Sequence, residues 1–399
     1  MNERTIKPVI IAVGYNRPQS LKRLLHSIQN ADYPVDHVTL VVSIDKSVNQ
    51  DEVIRAADEV EWTHGTRIVR AFDERQGLRR HIIQCGDLSQ EYGAVIILED
   101  DIFVSPSFYH YAYEAVNHFY SDDRICGVAL YSHAWSEHAL LPFVPCRNEY
   151  DVFYGQFSVT WGQCWTDRQW SAFREWYAVH ENKLPEKNDR LPNGILQWSD
   201  QSWGKYFISY IVETDKYYAV PYTAMSTNFS EAGQHNDHTD NAYQVPLMEG
   251  IKKTYRFPPF EEGIKYDVFF ERVFAKDTQI AGICADEICV NLNGIKPSTL
   301  GKKYVLSTKQ SEKGALASFG MSLRPIEANA VLGIPGNELF LNEAESCNLE
   351  VNVKDHGTSR ASYELHGFYW SVLLREGMRR FRIAVAAKLR QIRKRMVGR

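Results

Sequence analysis

Three consecutive carboxylates, Glu99, Asp100 and Asp101, follow the short apolar run AVIIL (94–98). Adjacent carboxylates repel one another, and each raises the pKa of its neighbours. An acidic triplet of this kind is often a solvated surface turn. Because this one ends an apolar run typical of a buried strand, we predict instead that a cation is bound at its carboxylates.

The first hundred residues alternate between apolar, β-branched runs and segments with helical spacing. The predicted strands are residues 8–16, 37–45, 66–73 and 94–98. The predicted helices begin at Pro18, Asp51, Gly77 and Ser105-Pro106. Near-continuous apolar strands separated by helices are typical of a parallel sheet that is covered on both faces. The fold class predicted is therefore α/β, with a Rossmann-like, mostly parallel sheet.

Polar and charged residues follow each of the four predicted strands. They are Asn16, Arg17, Asp45, Asp73 and the run Glu99–Asp101. In parallel α/β sheets, ligands bind beyond the carboxyl ends of the strands. These residues therefore form one candidate site at one edge of the sheet.

The chemistry expected at this edge is that of a hard divalent cation, Mn²⁺ or Mg²⁺. Such ions prefer oxygen ligands and commonly take one or two carboxylates, with substrate phosphates and water completing the shell. A metal held there would bind the diphosphate of an activated substrate and neutralise charge on the leaving group.

The order of four motifs resembles the metal-dependent GT-A glycosyltransferases, most closely the N-acetylglucosaminyltransferase I type and related bacterial polysaccharide enzymes. The motifs are YNRPQSLKRLLHSI, VVSID, GLRRHI and VIILEDDIFVSPSFYHYAYEAV, and the resemblance covers roughly residues 8–240. It implies a GT-A catalytic domain in which Arg17 and Asp45 bind the nucleotide. It also implies that Asp101 is the metal ligand, while Glu99 and Asp100 face the ribose and the donor sugar.

The resemblance further implies a general base within LQWSDQSW (196–203), and the matching carboxylate is Asp200. In an inverting displacement, a base opposite the leaving diphosphate removes the proton of the acceptor hydroxyl. Aromatic neighbours that exclude water would raise the pKa of Asp200 and protect the donor from hydrolysis. The segment departs from the family form because its Asp stands alone between Ser199 and Gln201. A helix-capping Asp between two buried tryptophans is the alternative.

Four more residues are candidates for binding the nucleotide sugar, each with a plainer alternative. Trp161 and Gly162 in VTWGQCW match the stretch beneath the donor sugar, although a Trp is at least as often core. His235 lies in STNFSEAGQHND, where the family has a loop that orders over the donor, and surface-loop histidines are common. Arg79 could hold phosphates, or it could solvate a helix face.

We predict three domains in the chain. Residues 1–265 are the GT-A domain, residues 266–370 are an accessory β-rich domain, and residues 371–399 are a basic amphipathic helix. Residues 375–399 contain ten Lys/Arg and one acid, while the remainder carries 35 basic and 49 acidic residues. The apolar residues of this helix recur at three- and four-residue steps: Met378, Phe381, Val385, Leu389, Ile392 and Met396. This pattern is typical of a helix on an anionic membrane surface, although it could instead cover a groove of the protein or a partner subunit. The acidic body argues against nucleic-acid binding.

We find no signal peptide and no run long enough to span a membrane, and the seven cysteines are scattered. We therefore expect a cytoplasmic enzyme that is peripheral at the inner face of the cell membrane. The expected reaction is hexosyl or N-acetylhexosaminyl transfer from a UDP-sugar, such as a UDP-GlcNAc-like donor, to a glycan or lipid-linked glycan in bacterial surface polysaccharide synthesis. The alternative is a non-catalytic glycan- or nucleotide-binding module on the same fold. A sugar nucleotidyltransferase would need a Gly-rich phosphate loop after the first strand, and an oxidoreductase would need Gly-x-Gly-x-x-Gly there; VGYNRPQS has neither.

Overall fold

The computed structural model describes residues 5–157, 159–183, 185–229, 243–349, 351, 357–365, 367 and 369–397. The strands are β1 (Val9–Gly14), β2 (Leu40–Ile44), β3 (Arg67–Ala71), β4 (Ala94–Glu99), β5 (Ile102–Val104), β6 (Ile125–Ala129), β7 (Trp135–Ser136), β8 (Leu141–Pro142), β9 (Val152–Gly155), β10 (Gln163–Thr166), β11 (Tyr217–Pro221), β12 (Ser226–Asn228), β13 (Lys265–Tyr266), β14 (Arg272–Val273), β15 (Gln279–Ile280), β16 (Ile283–Cys284), β17 (Ile288–Asn291), β18 (Tyr304–Ser307), β19 (Ala317–Phe319) and β20 (Leu339–Glu343). The helices are α1 (Pro18–Gln29), α2 (Gln50–Asp58), α3 (Leu78–Asp87), α4 (Ser89–Tyr92), α5 (Phe108–His118), α6 (Asp167–His180), α7 (Asn193–Leu196), α8 (Trp203–Glu213), α9 (Ala328–Val331), α10 (Gly357–Glu364) and α11 (Trp370–Val397).

Ten strands form the central sheet, in the order β14-β13-β9-β11-β6-β10-β4-β1-β2-β3. Five of its nine neighbouring pairs are parallel, including the run β4-β1-β2-β3 made by the first four predicted strands. The predicted α/β class, with a mostly parallel sheet and a β-rich C-terminal region, is confirmed. The four predicted strands lie within two or three residues of their expected bounds.

Helices cover both faces of the sheet. α1, α2 and α5 pack on one face, where their apolar residues join those of β1, β2 and β4 in one core cluster. α3, α6 and α8 pack on the other face, and this second cluster is rich in Trp, Tyr and Phe. The sequence of α1 explains why this helix begins at Pro18 and packs against the sheet. Pro18 occupies its first turn, where a missing N–H costs nothing, and Leu21, Leu24, Leu25 and Ile28 form a stripe that is fully buried.

Two features of the sheet differ from the expectation. Residues 150–260, in which no strand was predicted, supply β9, β10 and β11 to the sheet, and β10 runs antiparallel between β4 and β6. Short aromatic strands of this kind carry little period-2 signal in the sequence. β3 lies at the edge of the sheet, where Ile68 and Val69 are exposed, so it is not buried on both faces as expected.

A buried histidine joins α3 to β2. His81 is 3% exposed, and its Nε2 lies 2.8 Å from the Ser43 hydroxyl. Burial lowers the pKa of His81 to about 4. The unfolded chain, with an ordinary histidine pKa near 6.5, therefore binds a proton that the folded protein does not accept.

We expect His81 to make the fold sensitive to mild acid. Its contribution to the free energy of unfolding should be complete above about pH 6.5 and should fall as the pH drops from there toward 4, by about 2 kcal/mol at pH 5. Urea denaturation of wild type and His81→Gln at pH 7.5 and pH 5 measures this. The variant should lose about 2 kcal/mol less than wild type between the two pH values, and an equal loss in both proteins would contradict the assignment.

The region after the large sheet forms a second, four-stranded sheet in the order β17-β18-β20-β19. Two buried polar contacts connect this region to β13 and the turn after it. Lys296 Nζ lies 2.5 Å from Asp267 Oδ2, and the Tyr266 hydroxyl donates to Glu327 Oε1 at 2.5 Å. Residues Met1–Lys354 form one compact unit and Asp355–Arg399 another. The domain boundaries expected at 265 and 370 remain predictions.

The second unit contains α10 and α11. α11 has 28 residues, so the predicted terminal helix is present and begins one residue earlier than expected. Within the described part of the chain, no helix combines the length and hydropathy needed to cross a membrane.

Candidate functional site

The acidic run lies at the carboxyl edge of the parallel strands, as the sequence predicts. Glu99 is the last residue of β4 and pairs in register with Val13 of β1, so the loop after β1 runs beside the triplet. Asp100 and Asp101 form the turn that leads into β5. The short β5–β12 ribbon fixes the far side of this turn, where the Phe229 N–H donates to the Asp101 carbonyl at 2.9 Å.

Arg17, on the loop after β1, is the chain's own cation at this triplet. Its guanidinium forms an ion pair with Asp100, and its Nη2 lies 3.2 Å from Asp101 Oδ2. Burial alone would lower the pKa of Arg17, but the two carboxylates outweigh it and raise the pKa above its ordinary value. Arg17 therefore stays charged and links the first strand to the acidic run.

Glu99 lies in a different environment from its two neighbours. Burial, followed by the charges of Asp101 and Asp100, raises the pKa of Glu99 to about 8. Arg17 and a hydrogen bond donated by the Trp203 side chain act in the opposite direction. Glu99 is therefore largely protonated at neutral pH when nothing else is bound to it.

A cavity of about 490 Å³ opens above the acidic run. Carboxylates, indoles and hydroxyls line it together: Leu78, Glu99, Asp101, Thr160, Trp161, Trp198, Ser199, Ser202 and Trp203. Its walls come from the start of α3, the end of β4, the loop before β10 and the segment between α7 and α8. A cavity with apolar walls and a few convergent polar groups has the features of a small-molecule site.

Trp161 is part of this cavity wall, and Gly162 follows it in the same turn. Trp161 packs against Tyr131, with ring centroids 4.8 Å apart, and its carbonyl accepts a hydrogen bond from the Ser226 hydroxyl at 2.5 Å. Gly162 has φ +103°, and a Cβ there would lie 2.8 Å from Ser226 Oγ. Only glycine fits this turn, which places the Trp161 ring at the cavity.

Asp45 lies at the same edge of the sheet and is held by backbone donors. One carboxylate oxygen accepts from the N–H groups of Lys46 and Gln76 at 2.8 and 2.7 Å, and the other accepts from Gly77 N–H at 2.9 Å. Asp45 therefore fixes the loop that leads into α3, whose first residue, Leu78, lines the cavity.

Arg79 and Asp200 are among the predicted site residues that do not line the cavity. The Arg79 guanidinium stacks over the Tyr206 ring at 4.9 Å and lies 3.5 Å from the Glu181 carbonyl. The side chain of Asp200 is 65% exposed, and its Oδ1 lies 3.5 Å from Lys205 Nζ. The aromatic enclosure expected around Asp200 is therefore not what the structure shows. His235 lies outside the described residues.

The structure thus brings together Arg17, Glu99, Asp100, Asp101, Trp161 and Gly162, and adds Asp45 at the same edge of the sheet. Trp198, Ser199, Ser202 and Trp203 line the cavity but were not predicted as site residues, because only Asp200 was singled out in their segment. Nor was Lys205 predicted, which is buried and donates to the carbonyls of Leu196 and Trp198 at 3.1 Å each. Buried lysines are uncommon, but a single Lys within an apolar helix is not a readable signal without the fold.

The donor set fits a divalent cation that arrives with a phosphate ligand. No group of three or more His, Cys, Asp or Glu side chains among the described residues is placed to hold a metal unaided. Mn²⁺ and Mg²⁺ commonly use one or two protein carboxylates together with phosphate oxygens and water. Asp101 reaches the cavity and supplies one such carboxylate. Two carboxylates, Asp100 and Asp101, contact the single guanidinium of Arg17, so their negative charge exceeds its positive charge and leaves an excess for a dication to balance.

No protein-family model matches the chain, and no curated protein matches it. Among solved structures, it is similar to Staphylococcus aureus TarS residues 1–349 in complex with UDP-GlcNAc, with 13% identity, a TM-score of 0.34, and 57% of this chain and 60% of that chain covered. It is also similar to the mannosyltransferase PcManGT from Pyrobaculum calidifontis in complex with GDP-Man and Mn²⁺, with 12% identity, a TM-score of 0.33, and 55% and 58% covered. The matched part of this chain spans about three fifths of these two structures and 36% of a longer TarS structure. Likenesses at this level give no residue-by-residue correspondence.

Proposed function

We propose that this chain is a glycosyltransferase that moves a sugar from a nucleoside diphosphate donor to an acceptor hydroxyl. The observation that carries the proposal is the cavity at the carboxyl edge of β1 and β4, where Glu99 and Asp101 face three indoles. Indole faces suit the apolar faces of a sugar ring, and carboxylates accept hydrogen bonds from its hydroxyls. The family resemblance of the motifs that build this edge supports the same reaction.

The donor's diphosphate would lie at Asp101 with Mn²⁺ or Mg²⁺. A metal bound by Asp101 and the phosphate oxygens would neutralise charge on the leaving nucleoside diphosphate. Arg17 holds the acidic turn in place through Asp100 and adds a positive charge beside the phosphates. Asp45 positions the loop before α3 along the expected path of the nucleotide. Phosphate contacts from Arg79 and His235 remain part of the proposal, and Arg79 would have to leave Tyr206 to make them.

Asp200 is proposed as the general base of an inverting transfer. It lies between Ser199 and Ser202, which both line the cavity, and it is paired with Lys205. Lys205 fixes this segment through the carbonyls of Leu196 and Trp198. For Asp200 to accept the acceptor's proton, the acceptor must cover it and exclude water. An extended acceptor such as a glycan could do this, and the proposed biological role is therefore bacterial surface polysaccharide synthesis on a glycan or lipid-linked glycan.

A nucleotide-release assay tests the proposal without knowledge of the acceptor. Full-length protein is incubated with UDP-, GDP-, CMP- and dTDP-sugars, with Mn²⁺ or with EDTA, and the freed nucleotide is measured. We expect slow hydrolysis of one donor class that requires the metal, and acceleration when the right acceptor is added. If the protein neither binds any donor in the panel nor releases nucleotide from any of them, the proposal is contradicted.

A non-catalytic nucleotide- or glycan-binding module is the second candidate. The exposure of Asp200 and its pairing with Lys205 favour it, because neither is the environment of an enclosed base. Binding of a donor without release of its nucleotide, across a broad panel of acceptors, would support this module over the enzyme.

A further inference from the structure

Helix α11 carries a continuous row of exposed apolar side chains that no part of the proposed reaction uses. The row consists of Trp370, Leu374, Met378, Phe381 and Val385, which are 42–76% exposed. Tyr369 directly precedes it and is 80% exposed. Their spacing of four, four, three and four residues places all five side chains on one face of the helix. Isolated exposed apolar residues need no explanation, but an aligned row of large ones indicates an interaction surface.

The charge around this row is strongly positive. Arg375, Arg379, Arg380, Arg382 and Lys388 occupy the same stretch of the helix. The single acid, Glu376, is engaged by Arg379 at 2.6 Å and by Arg380 at 2.9 Å. An apolar row flanked by arginines fits a partner that offers hydrocarbon beneath an anionic layer. This combination is the surface of a bilayer that contains anionic lipid.

The period of the row argues against a coiled coil as its use. From Trp370 to Met396 the apolar positions advance by an average of about 3.7 residues, close to the 3.6 of a straight helix. A coiled coil requires an average of 3.5. Continued as heptads from Leu374, Met378, Phe381 and Val385, the seam would next contain Lys388. A stripe that runs straight along the helix can contact a flat surface over its whole length. A charged lysine within the seam would be unfavourable against the apolar seam of a partner helix.

We propose that α11 binds in the plane of an anionic lipid bilayer, with its apolar row in the boundary between headgroups and acyl chains. The contact surface begins at Tyr369 and Trp370, whose rings suit the interface because each has an apolar body and a polar tip. The arginines lie at the level of the lipid phosphates, where each basic residue contributes about a fivefold gain in binding. The inference rests on α11 alone and does not depend on the proposed transferase reaction.

Flotation of the full chain with lipid vesicles tests this surface. Vesicles of phosphatidylcholine containing phosphatidylglycerol should carry the wild-type protein upward in a density gradient. Vesicles of phosphatidylcholine alone, or raised salt, should reduce the bound fraction strongly, because the electrostatic part is screened. Equal flotation with both vesicle types, or none with either, would overturn the proposal.

A matched pair of substitutions identifies the face that makes the contact. Phe381→Asp places a charge in the row, whereas Ile383→Asp places the same charge on an exposed apolar residue about 200° further around the helix. We expect at least about a tenfold loss of partitioning for F381D and a clearly smaller loss for I383D. Both variants should keep the circular dichroism of the wild type.

Equal losses for both substitutions would show that charge alone determines binding and would overturn the assigned face. Concentration-dependent self-association of the wild type, abolished by F381D and without vesicle binding, would overturn the bilayer in favour of a second copy of the chain. Light scattering of the same samples distinguishes that outcome.

Discussion

Asp101→Asn should reduce the rate of sugar transfer, as kcat/KM, by about 10²–10³-fold while leaving the protein folded. The side chain of Asp101 faces the cavity and is 24% exposed, so the amide fits sterically. An amide cannot supply the anionic oxygen that a divalent cation prefers, so the charge on the leaving diphosphate would be poorly balanced. The nucleotide-release assay with Mn²⁺ measures the effect, and the loss should not be recovered by raising the donor concentration alone.

Asp100→Asn is the matched control for this substitution. Asp100 is buried, does not line the cavity and forms an ion pair with Arg17. Its replacement should lower the free energy of unfolding by about 1–3 kcal/mol, and should affect transfer mainly through the displaced Arg17. Full activity in D101N, or a larger activity loss in D100N than in D101N, would contradict the metal-ligand role of Asp101.

Lys296→Met should lower the free energy of unfolding by about 3–5 kcal/mol, the largest stability effect we expect. Lys296 is 5% exposed, and its ammonium lies 2.5 Å from Asp267 Oδ2. Burial would lower the pKa of Lys296, but the charges of Asp267 and Glu271 are among those that outweigh it and raise the pKa. Removing the lysine leaves the Asp267 carboxylate, which is 16% exposed, without the cation that it pairs with. Urea denaturation followed by tryptophan fluorescence measures the change.

The double variant D267N/K296M tests whether the loss is electrostatic. The Asp267 side chain accepts from the N–H groups of Phe269 and Glu271 at 2.9 and 3.0 Å. The amide introduced by D267N would keep an oxygen for these two hydrogen bonds but would remove the charge. The double variant should therefore be more stable than K296M alone. If it is less stable by the sum of the two single effects, the loss is one of packing and the electrostatic account is wrong.

The predictable part of this fold is its β/α first half. The apolar runs at β1 and β4 and the leucine stripe of α1 satisfy local rules, so their positions can be read without knowing their neighbours. The shared edge of the sheet then follows from parallel topology, which is why Arg17, Asp45 and Asp101 could be grouped in advance. β10 could not be predicted, because its place between β4 and β6 depends on long-range pairing rather than on its own four residues.

The environment of individual carboxylates is the part that sequence does not determine. Glu99 and Asp101 belong to the same short motif, but only the fold brings Glu99 within hydrogen-bonding reach of the Trp203 side chain. Asp200 lies between Trp198 and Trp203 in sequence, and both indoles line the cavity while its own carboxylate points to solvent. Residues that are neighbours in sequence along a turn need not have side chains that are neighbours in space. The two tryptophans near Asp200 in the sequence therefore do not enclose its carboxylate.

Arg17 supplies part of the positive charge predicted at the acidic run, because it pairs with Asp100 and Asp101. One guanidinium does not balance the two carboxylates that it contacts, and we propose that a metal arriving with the donor balances the remaining charge. Metal and nucleotide should therefore each strengthen the binding of the other.

Isothermal titration calorimetry of UDP, UDP-sugars and GDP-sugars into the wild-type protein, with Mn²⁺ and again with EDTA, measures this linkage between metal and nucleotide. The account predicts saturable binding of one nucleotide class at one site per chain that requires Mn²⁺ and is lost in D101N. Binding that is equally tight in EDTA, or unchanged in D101N, would contradict it.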